Sequence, residues 1–228
     1  ADFILAPATR SNSEASPQTI INAATGAVVS SQWDGFGMTT DGWMEVQKDL
    51  NDVSKGTVRA LHVPAGRSLS FEYDPLVNFR SGNSTGRSMT LEMDIRTDNI
   101  LDEDEPIVEI CTTHPVDGDA YGIRLLPKEI YFLTQNNRVR DDQNATWAEG
   151  ERVHVAVNVV YGVSGLNWVR IFLDGRIERV FNYLVSDVFS GAAVNVKIGN
   201  TSSDIDIFGM RCYQKALSTD DVMQDCGG

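Results

Sequence analysis

Residues Trp147 to Tyr213 read WAEGERVHVAVNVVYGVSGLNWVRIFLDGRIERVFNYLVSDVFSGAAVNVKIGNTSSDIDIFGMRCY. Val153, Val155, Val157 and Val159 alternate with His154, Ala156 and Asn158, the period of a strand that turns one face to a core. The run Glu151–Tyr161 is followed by a Gly-bearing turn and by the β-rich runs Asn167–Leu173, Arg176–Asn182, Ala193–Gly199 and Asp204–Tyr213. Asp174-Gly175 supplies the positive φ values of a tight hairpin that joins Val169, Ile171 and Leu173 to Ile177. β-Branched side chains gathered on one face need a second sheet to pack against.

The chain upstream supplies that sheet. In Ser88–Arg96, Met89, Leu91, Met93 and Ile95 alternate with Ser88, Thr90, Glu92 and Asp94, which predicts a half-buried strand whose outer face carries Glu92 and Asp94 side by side. Thr19–Ala24 and Ala27–Trp33 flank Thr25-Gly26 with the spacing of a tight hairpin. Gly56–Val63 and Ser68–Tyr73 form the next pair around Pro64-Ala65-Gly66, and Tyr121–Leu126 with Glu129–Gln135 another around Pro127-Lys128. Ile107–Thr112 reads as a further strand and Asn136–Thr146 as a polar loop. Trp33, Phe36 and Trp43 stand among Gly35, Gly37 and Gly42; they suit an apolar plug at one end of a sandwich, or a ligand platform. Ser218 and Asp221 have the spacing of a capping box, which predicts a short helix over Thr219–Asp225. Together these signals predict an all-β, two-sheet antiparallel jelly-roll sandwich with a short C-terminal helix. Residues 1–18 read as an entry segment and 19–228 as one domain without linker or repeat.

The 228-residue chain carries a formal net charge of −13. A chain of this size buries roughly 70% of its unfolded surface, so no cofactor is required simply to fold. Nucleic-acid binding needs clustered Lys and Arg, and the acidic balance argues against it and against anionic membranes. No apolar run reaches the ~18 residues of a membrane span, and Ala1–Arg10 lacks the charged and apolar segments of a secretory signal. Cys111, Cys212 and Cys226 form no CxxC motif, and a pairing of Cys212 with Cys226 stays open.

The order Trp147, Gly150 to Val155, Val169 to Gly175, Val196 to Gly199, Ile207 to Tyr213 and Ala216-Leu217-Ser218 resembles the laminin-G-like, concanavalin-A-like jelly-roll family. Leu173-Asp174-Gly175 and Gly209-Met210-Arg211-Cys212-Tyr213 match its hairpin and closing strand, with Gly209 and Met210 in place of the usual Asp and Val. Gly86 to Glu92, Asn99-Ile100 and Pro64-Ala65-Gly66 also look like the variant of this module in structural and tail proteins of tailed bacteriophages. The resemblance is specific for fold and poor for function. It implies a non-catalytic recognition or structural module at a virion or extracellular surface, with glycan or another cell-surface ligand and neighbouring chains of an assembly as partners. The matched residues are accounted for by hairpin geometry and packing, so the loops are where a ligand is expected.

Three chemistries follow from the residue inventory. Glu92-Met93-Asp94-Ile95 looks like the start of the E-x-D-x-x-E signature of retaining β-glucanases that share this jelly roll, but the third carboxylate, due near Arg96 or Thr97, is missing. A glycan-cleaving enzyme using Glu92 and Asp94 is therefore the alternative to the binding module. His62, His114 and His154 have no nucleophile-elbow motif beside them. Asp98, Asp102, Glu103 and Asp104 bring hard oxygen ligands close in sequence, which makes calcium the expected cation if one binds. A sugar would be met by an aromatic face and polar loop groups, and the candidates are Tyr131, Asn136, Asn137, Arg138, Arg140 and Asp141.

Overall fold

The structure, a computed structural model, describes residues 1–9, 18–37, 42–72, 88–113, 120–133, 138–140, 148–161, 167–183 and 195–226. In chain order its strands are β1 (Phe3–Leu5), β2 (Ile20–Asn22), β3 (Ala27–Val29), β4 (Ser31–Asp34), β5 (Trp43–Gln47), β6 (Thr57–Val63), β7 (Ser68–Glu72), β8 (Met89–Asp98) and β9 (Val108–Thr113). There follow β10 (Ala120–Leu125), β11 (Ile130–Leu133), β12 (Arg138–Arg140), β13 (Arg152–Tyr161), β14 (Asn167–Leu173), β15 (Arg176–Tyr183), β16 (Asn195–Gly199), β17 (Asp204–Tyr213) and the helix α1 (Thr219–Cys226). The larger sheet runs β15-β14-β13-β8-β17-β6-β5 with β1 added against β17; the smaller runs β12-β11-β10-β9-β16-β7-β4. Every pairing is antiparallel. This is the expected two-sheet sandwich with a short helix at its C-terminal end.

The core lies between the sheets. From the larger sheet, Leu61, Leu91, Met93, Ile95, Val153, Val155, Val157 and Ile207 face it; from the smaller come Leu69, Phe71, Ile110, Ile123, Leu125, Val196 and Ile198, all buried. The alternating valines thus fill a sheet-to-sheet interface, where each buried aliphatic side chain contributes about 1.5–3 kcal/mol relative to exposure. Phe3 stacks on Phe71 with ring centroids 5.5 Å apart, so the expected entry segment contributes both a strand and a core aromatic. Gly199 ends β16 at φ 91°, where a Cβ would collide with the Arg67 carbonyl oxygen. Its own amide donates to Ile107 O (3.0 Å), which stitches that turn to the start of β9.

Several local expectations change. The run Ala27–Trp33 is split: β3 pairs with β2, whereas β4 crosses to the smaller sheet and pairs with β7. Asn22 sits opposite Ala27, so the β2–β3 turn spans Ala23 to Gly26 instead of Thr25-Gly26 alone. Gly56–Val63 and Ser68–Tyr73 do not pair; β6 and β7 lie in different sheets, and Pro64 to Arg67 form an arch between them. Asp174 and Gly175 do take positive φ, 47° and 74°. This two-residue turn sets Ile177 opposite Phe172, on the outer face, and a bulge between Ile171 and Phe172 then sets Arg179 instead of Glu178 opposite Ile171. Cys212 and Cys226 are both free thiols. The capping box forms as expected, with the Asp221 amide donating to Ser218 Oγ (3.1 Å) and the Ser218 amide to Asp221 Oδ2 (3.1 Å).

Candidate functional site

Of the glycan candidates, Tyr131, Arg138 and Arg140 lie in strands at one margin of the smaller sheet. β11 and β12 pair as its outermost ribbon, with Tyr131 opposite Arg140 and Leu133 opposite Arg138. Arg138–Arg140, expected within the polar loop, is therefore a strand. Asn136, Asn137 and Asp141 lie outside the described residues, as do His114 and Trp147.

The acidic run does not converge on a point. Asp98 ends β8 half-buried, and burial pushes its carboxyl above the usual range; Arg96 opposes this, while Asp206, Glu149 and Asp204 add to it. Asp102 Oδ1 accepts from the Asp104 amide (2.8 Å), Asp104 Oδ1 lies 3.3 Å from Lys128 Nζ, and Glu103 is exposed. Glu105 Oε2 accepts from the Ser202 amide and hydroxyl (2.7 and 2.6 Å), which holds its carboxyl below the usual range and pins the run to the β16–β17 turn. Among the described residues no group of three or more His, Cys, Asp or Glu side chains is placed to hold a metal ion, and Asp98, Asp102, Glu103 and Asp104 are all described.

The polar cluster that does assemble lies on the outer face of the larger sheet, beneath α1. Strand alternation sends Glu92 and Asp94 to that face as expected, but it does not face water: Glu92 is 1% exposed. Register sets Glu92 between Ala156 of β13 and Arg211 of β17, and Asp94 beside His154. His154 Nδ1 stands 3.1 Å from Asp94 Oδ1 and its Nε2 stands 3.8 Å from Glu92 Oε1, the latter an ion-pair distance too long for a hydrogen bond. Arg152 Nη2 reaches Asp94 Oδ2 at 3.3 Å. From α1 comes Asp225, which accepts from Tyr213 Oη (2.8 Å) and lies 3.7 Å from Arg211 Nη1. Val222 and Leu217 seat the helix on Ala156 and Phe172.

Charges in this cluster respond to burial and to one another. Burial alone would lower the His154 pKa, but Asp94 and Glu92 outweigh it and carry it to about 9, so the imidazolium persists at neutral pH. Burial raises the Glu92 carboxyl; His154 opposes this and the adjacent Asp225 reinforces it. Burial would also raise Asp94, yet His154 and Arg152 hold it below the usual carboxylate range. Both Glu92 oxygens and His154 Nε2 lack a hydrogen-bond partner among the described residues. The position near Arg96 or Thr97 where a third carboxylate is due carries none, and the carboxylate that α1 brings to this face, Asp225, is engaged by Tyr213 and Arg211.

Two further constellations are structural. Arg96, 2% exposed, donates through Nε and Nη2 to Asp206 Oδ2 (3.1 and 2.7 Å) and through Nη1 to Gln47 O (2.6 Å), while His62 Nδ1 lies 2.7 Å from Asp206 Oδ1. Trp33 packs edge-on against Phe36 and Trp43, with centroids 5.1 and 6.1 Å apart, and Trp43 is buried in the core. The Trp33, Phe36 and Trp43 group is thus a plug of the sandwich. No helix among the described residues is long and apolar enough to cross a membrane.

No protein-family model matches the chain, and no curated protein matches it in sequence. Solved structures match its backbone. It is similar to the receptor-binding domain of botulinum neurotoxin C/D mosaic serotype, with a TM-score of 0.63 at 10% identity over 99% of this chain and 50% of that one. It is similar, at TM-score 0.61 and 12% identity over 99% and 50%, to a structure described as cell entry of botulinum neurotoxin type C dependent upon interaction with two ganglioside molecules. The binding domain of botulinum neurotoxin DC in complex with rat synaptotagmin II scores 0.60 at 13% identity, again over 99% and 50%. The chain spans about half the length of these structures, and what it shares with them is the β-sandwich.

Proposed function

We propose that this chain is a non-catalytic recognition or structural module of a larger extracellular or virion assembly, with cell-surface glycan as its ligand. The observation that carries this reading is the closure of the outer face: Glu92, the residue an enzyme would need, is 1% exposed under α1. The fold is shared with domains described as receptor-binding, one of them in connection with gangliosides and another with synaptotagmin II. Those ligands guide the choice of test for this chain.

The β11–β12 ribbon is the proposed contact surface. Backbone register pairs position 131 with 140 and 133 with 138 at a sheet margin, which brings Tyr131, Arg138 and Arg140 into one two-stranded ribbon. An aromatic ring gives a sugar its apolar platform, and a guanidinium gives paired donors for hydroxyls or a carboxylate. Asn136, Asn137 and Asp141 are proposed as further ligand contacts. Probing a glycan array with the intact chain tests this: binding should appear and fall about tenfold or more in Tyr131→Ala and in Arg138→Ala/Arg140→Ala, the loss of roughly one good contact. Absence of any glycan signal together with self-association would favour a purely architectural role instead. One observation favours that second reading: Trp168, Ile177 and Val180 are 39–45% exposed on the outer margin formed by β14 and β15.

A further inference from the structure

Backbone register carries one row of residues across the whole smaller sheet. Gln32 of β4 lies opposite Ser70 of β7, Ser70 opposite Lys197 of β16, Lys197 opposite Glu109 of β9 and Glu109 opposite Arg124 of β10; Arg124 lies opposite Tyr131, and Tyr131 opposite Arg140. Their chain neighbours Phe71, Val196, Ile110 and Ile123 are buried between the sheets, so alternation turns Ser70, Lys197, Glu109 and Arg124 to the outer face. That face meets solvent: the side chains of Lys197, Arg124 and Glu109 are 41%, 26% and 21% exposed. Arg124 Nε lies 2.7 Å from Glu109 Oε1 and Lys197 Nζ lies 3.9 Å from Oε2, so one carboxylate sits between two cations. The row thus holds the basic residues Lys197, Arg124 and Arg140 against the single acid Glu109, in a chain whose net charge is −13. We propose that this row is the recognition surface for a glycan bearing a sugar carboxylate, with Arg124 and Lys197 meeting that carboxylate.

This role rests on the glycan reading of the β11–β12 ribbon and extends it inward, because Tyr131 and Arg140 of that ribbon share the row with Arg124 and Lys197. From β16 to β12 the row crosses four strand spacings of about 4.8 Å, roughly 19 Å, which suits an oligosaccharide of several rings. The adjoining register row runs Glu72, Asn195, Cys111, Gly122, Leu133 and Arg138, one residue of each sign, with the arginine at the ribbon end. Gly122 there leaves a position without a side chain two residues from Arg124, where a ligand can approach the backbone closely. Charge decides the ligand class. Glu109 fixes the orientation of the Arg124 guanidinium, a guanidinium recognises a carboxylate through paired N–H donors, and Lys197 adds a point charge. A polyanion such as nucleic acid would be repelled by the acidic remainder of the chain, whereas a single carboxylate within a Debye length of about 8 Å is met by the row alone.

An array of sialyl- and glucuronyl-terminated glycans, each beside its carboxyl-reduced form and a sulfated counterpart, tests this on the intact chain. At least one carboxylate-bearing glycan should bind about tenfold or more above its reduced form. That preference should shrink as NaCl rises from about 50 to about 300 mM. Lys197→Glu and, separately, Arg124→Gln should each lower binding of the carboxylate form about tenfold and bring it to the level of the reduced form. Arg176→Gln, which removes one exposed cation from the edge strand β15 of the larger sheet, should leave binding unchanged. Equal binding of the carboxylate and reduced forms overturns the proposal and leaves the glycan reading standing, whereas no binding to either overturns both. A sulfated counterpart preferred over the carboxylate overturns the ligand class. A preference kept in both Lys197→Glu and Arg124→Gln, or a loss in Arg176→Gln as large as theirs, overturns the row as the reader of that charge.

Discussion

On the inner face of the larger sheet, Leu91, Met93 and Ile95 meet Val157, Val155 and Val153 across the β8–β13 register, all of them in the apolar core. On the outer face of the same strands, Glu92 and Asp94 meet Ala156 and His154, and they are covered by α1. Both faces are largely buried, yet they are held by different physics. Apolar contacts are non-directional, so any neighbour of the right volume serves. Buried charges hold only with particular partners, and removing one leaves the other uncompensated.

That contrast can be broken by exchange of partners. Arg96→Met strands Asp206 and is expected to cost about 3–5 kcal/mol in denaturant unfolding, whereas Arg96→Met with Asp206→Leu should recover most of the loss. If the double variant is as unstable as the single one, the outer face is held by packing after all. Leu91→Ala on the inner face should cost about 2–5 kcal/mol, and no partner change apart from refilling the volume should restore it.

The pH profile sharpens the comparison further. The His154 pKa is raised in the folded chain, so its contribution is fully present below its ordinary value of 6.5 and is lost as pH climbs to about 9. Chemical unfolding at a series of pH values should show a decline of at most about 3 kcal/mol over that window, and His154→Gln should flatten it. Asp94 acts in the opposite sense: its carboxyl is lowered, so its contribution is lost only as pH falls below the usual carboxylate range. Inner-face variants such as Leu91→Ala should shift the whole profile without changing its shape. The smallest expected effect is at the edge of the outer cluster, where Ser218→Ala removes the cap of α1 and should cost about 1 kcal/mol.

The same contrast explains what could be read from the chain. Alternation in Ser88–Arg96 and in Glu151–Tyr161 states which residues point inward, and every inward valine and methionine is in the core. Asp174-Gly175 and the Ser218/Asp221 box are local signals, and both form as local signals should. Pairings between distant strands are not local. Gly56–Val63 and Ser68–Tyr73 look like a hairpin, yet they belong to different sheets, because an arch and a hairpin use the same Pro-Ala-Gly punctuation. For the site, alternation correctly assigned Glu92 and Asp94 to the outer face, but their neighbours His154, Arg211 and Asp225 depend on β8–β13 and β8–β17 register and on where α1 docks. The one available hint was His154 within a run of valines, a polar residue of the same parity as Asn158.

The central claim, a buried Glu92 in a module that binds without cleaving, is tested most directly by mass analysis of glycans after prolonged incubation with the intact chain. Glycans retained by the protein should be recovered at their starting mass, with retention lowered by Tyr131→Ala or Arg140→Ala and unchanged by Glu92→Gln. Shortened products that disappear in Glu92→Gln would contradict it.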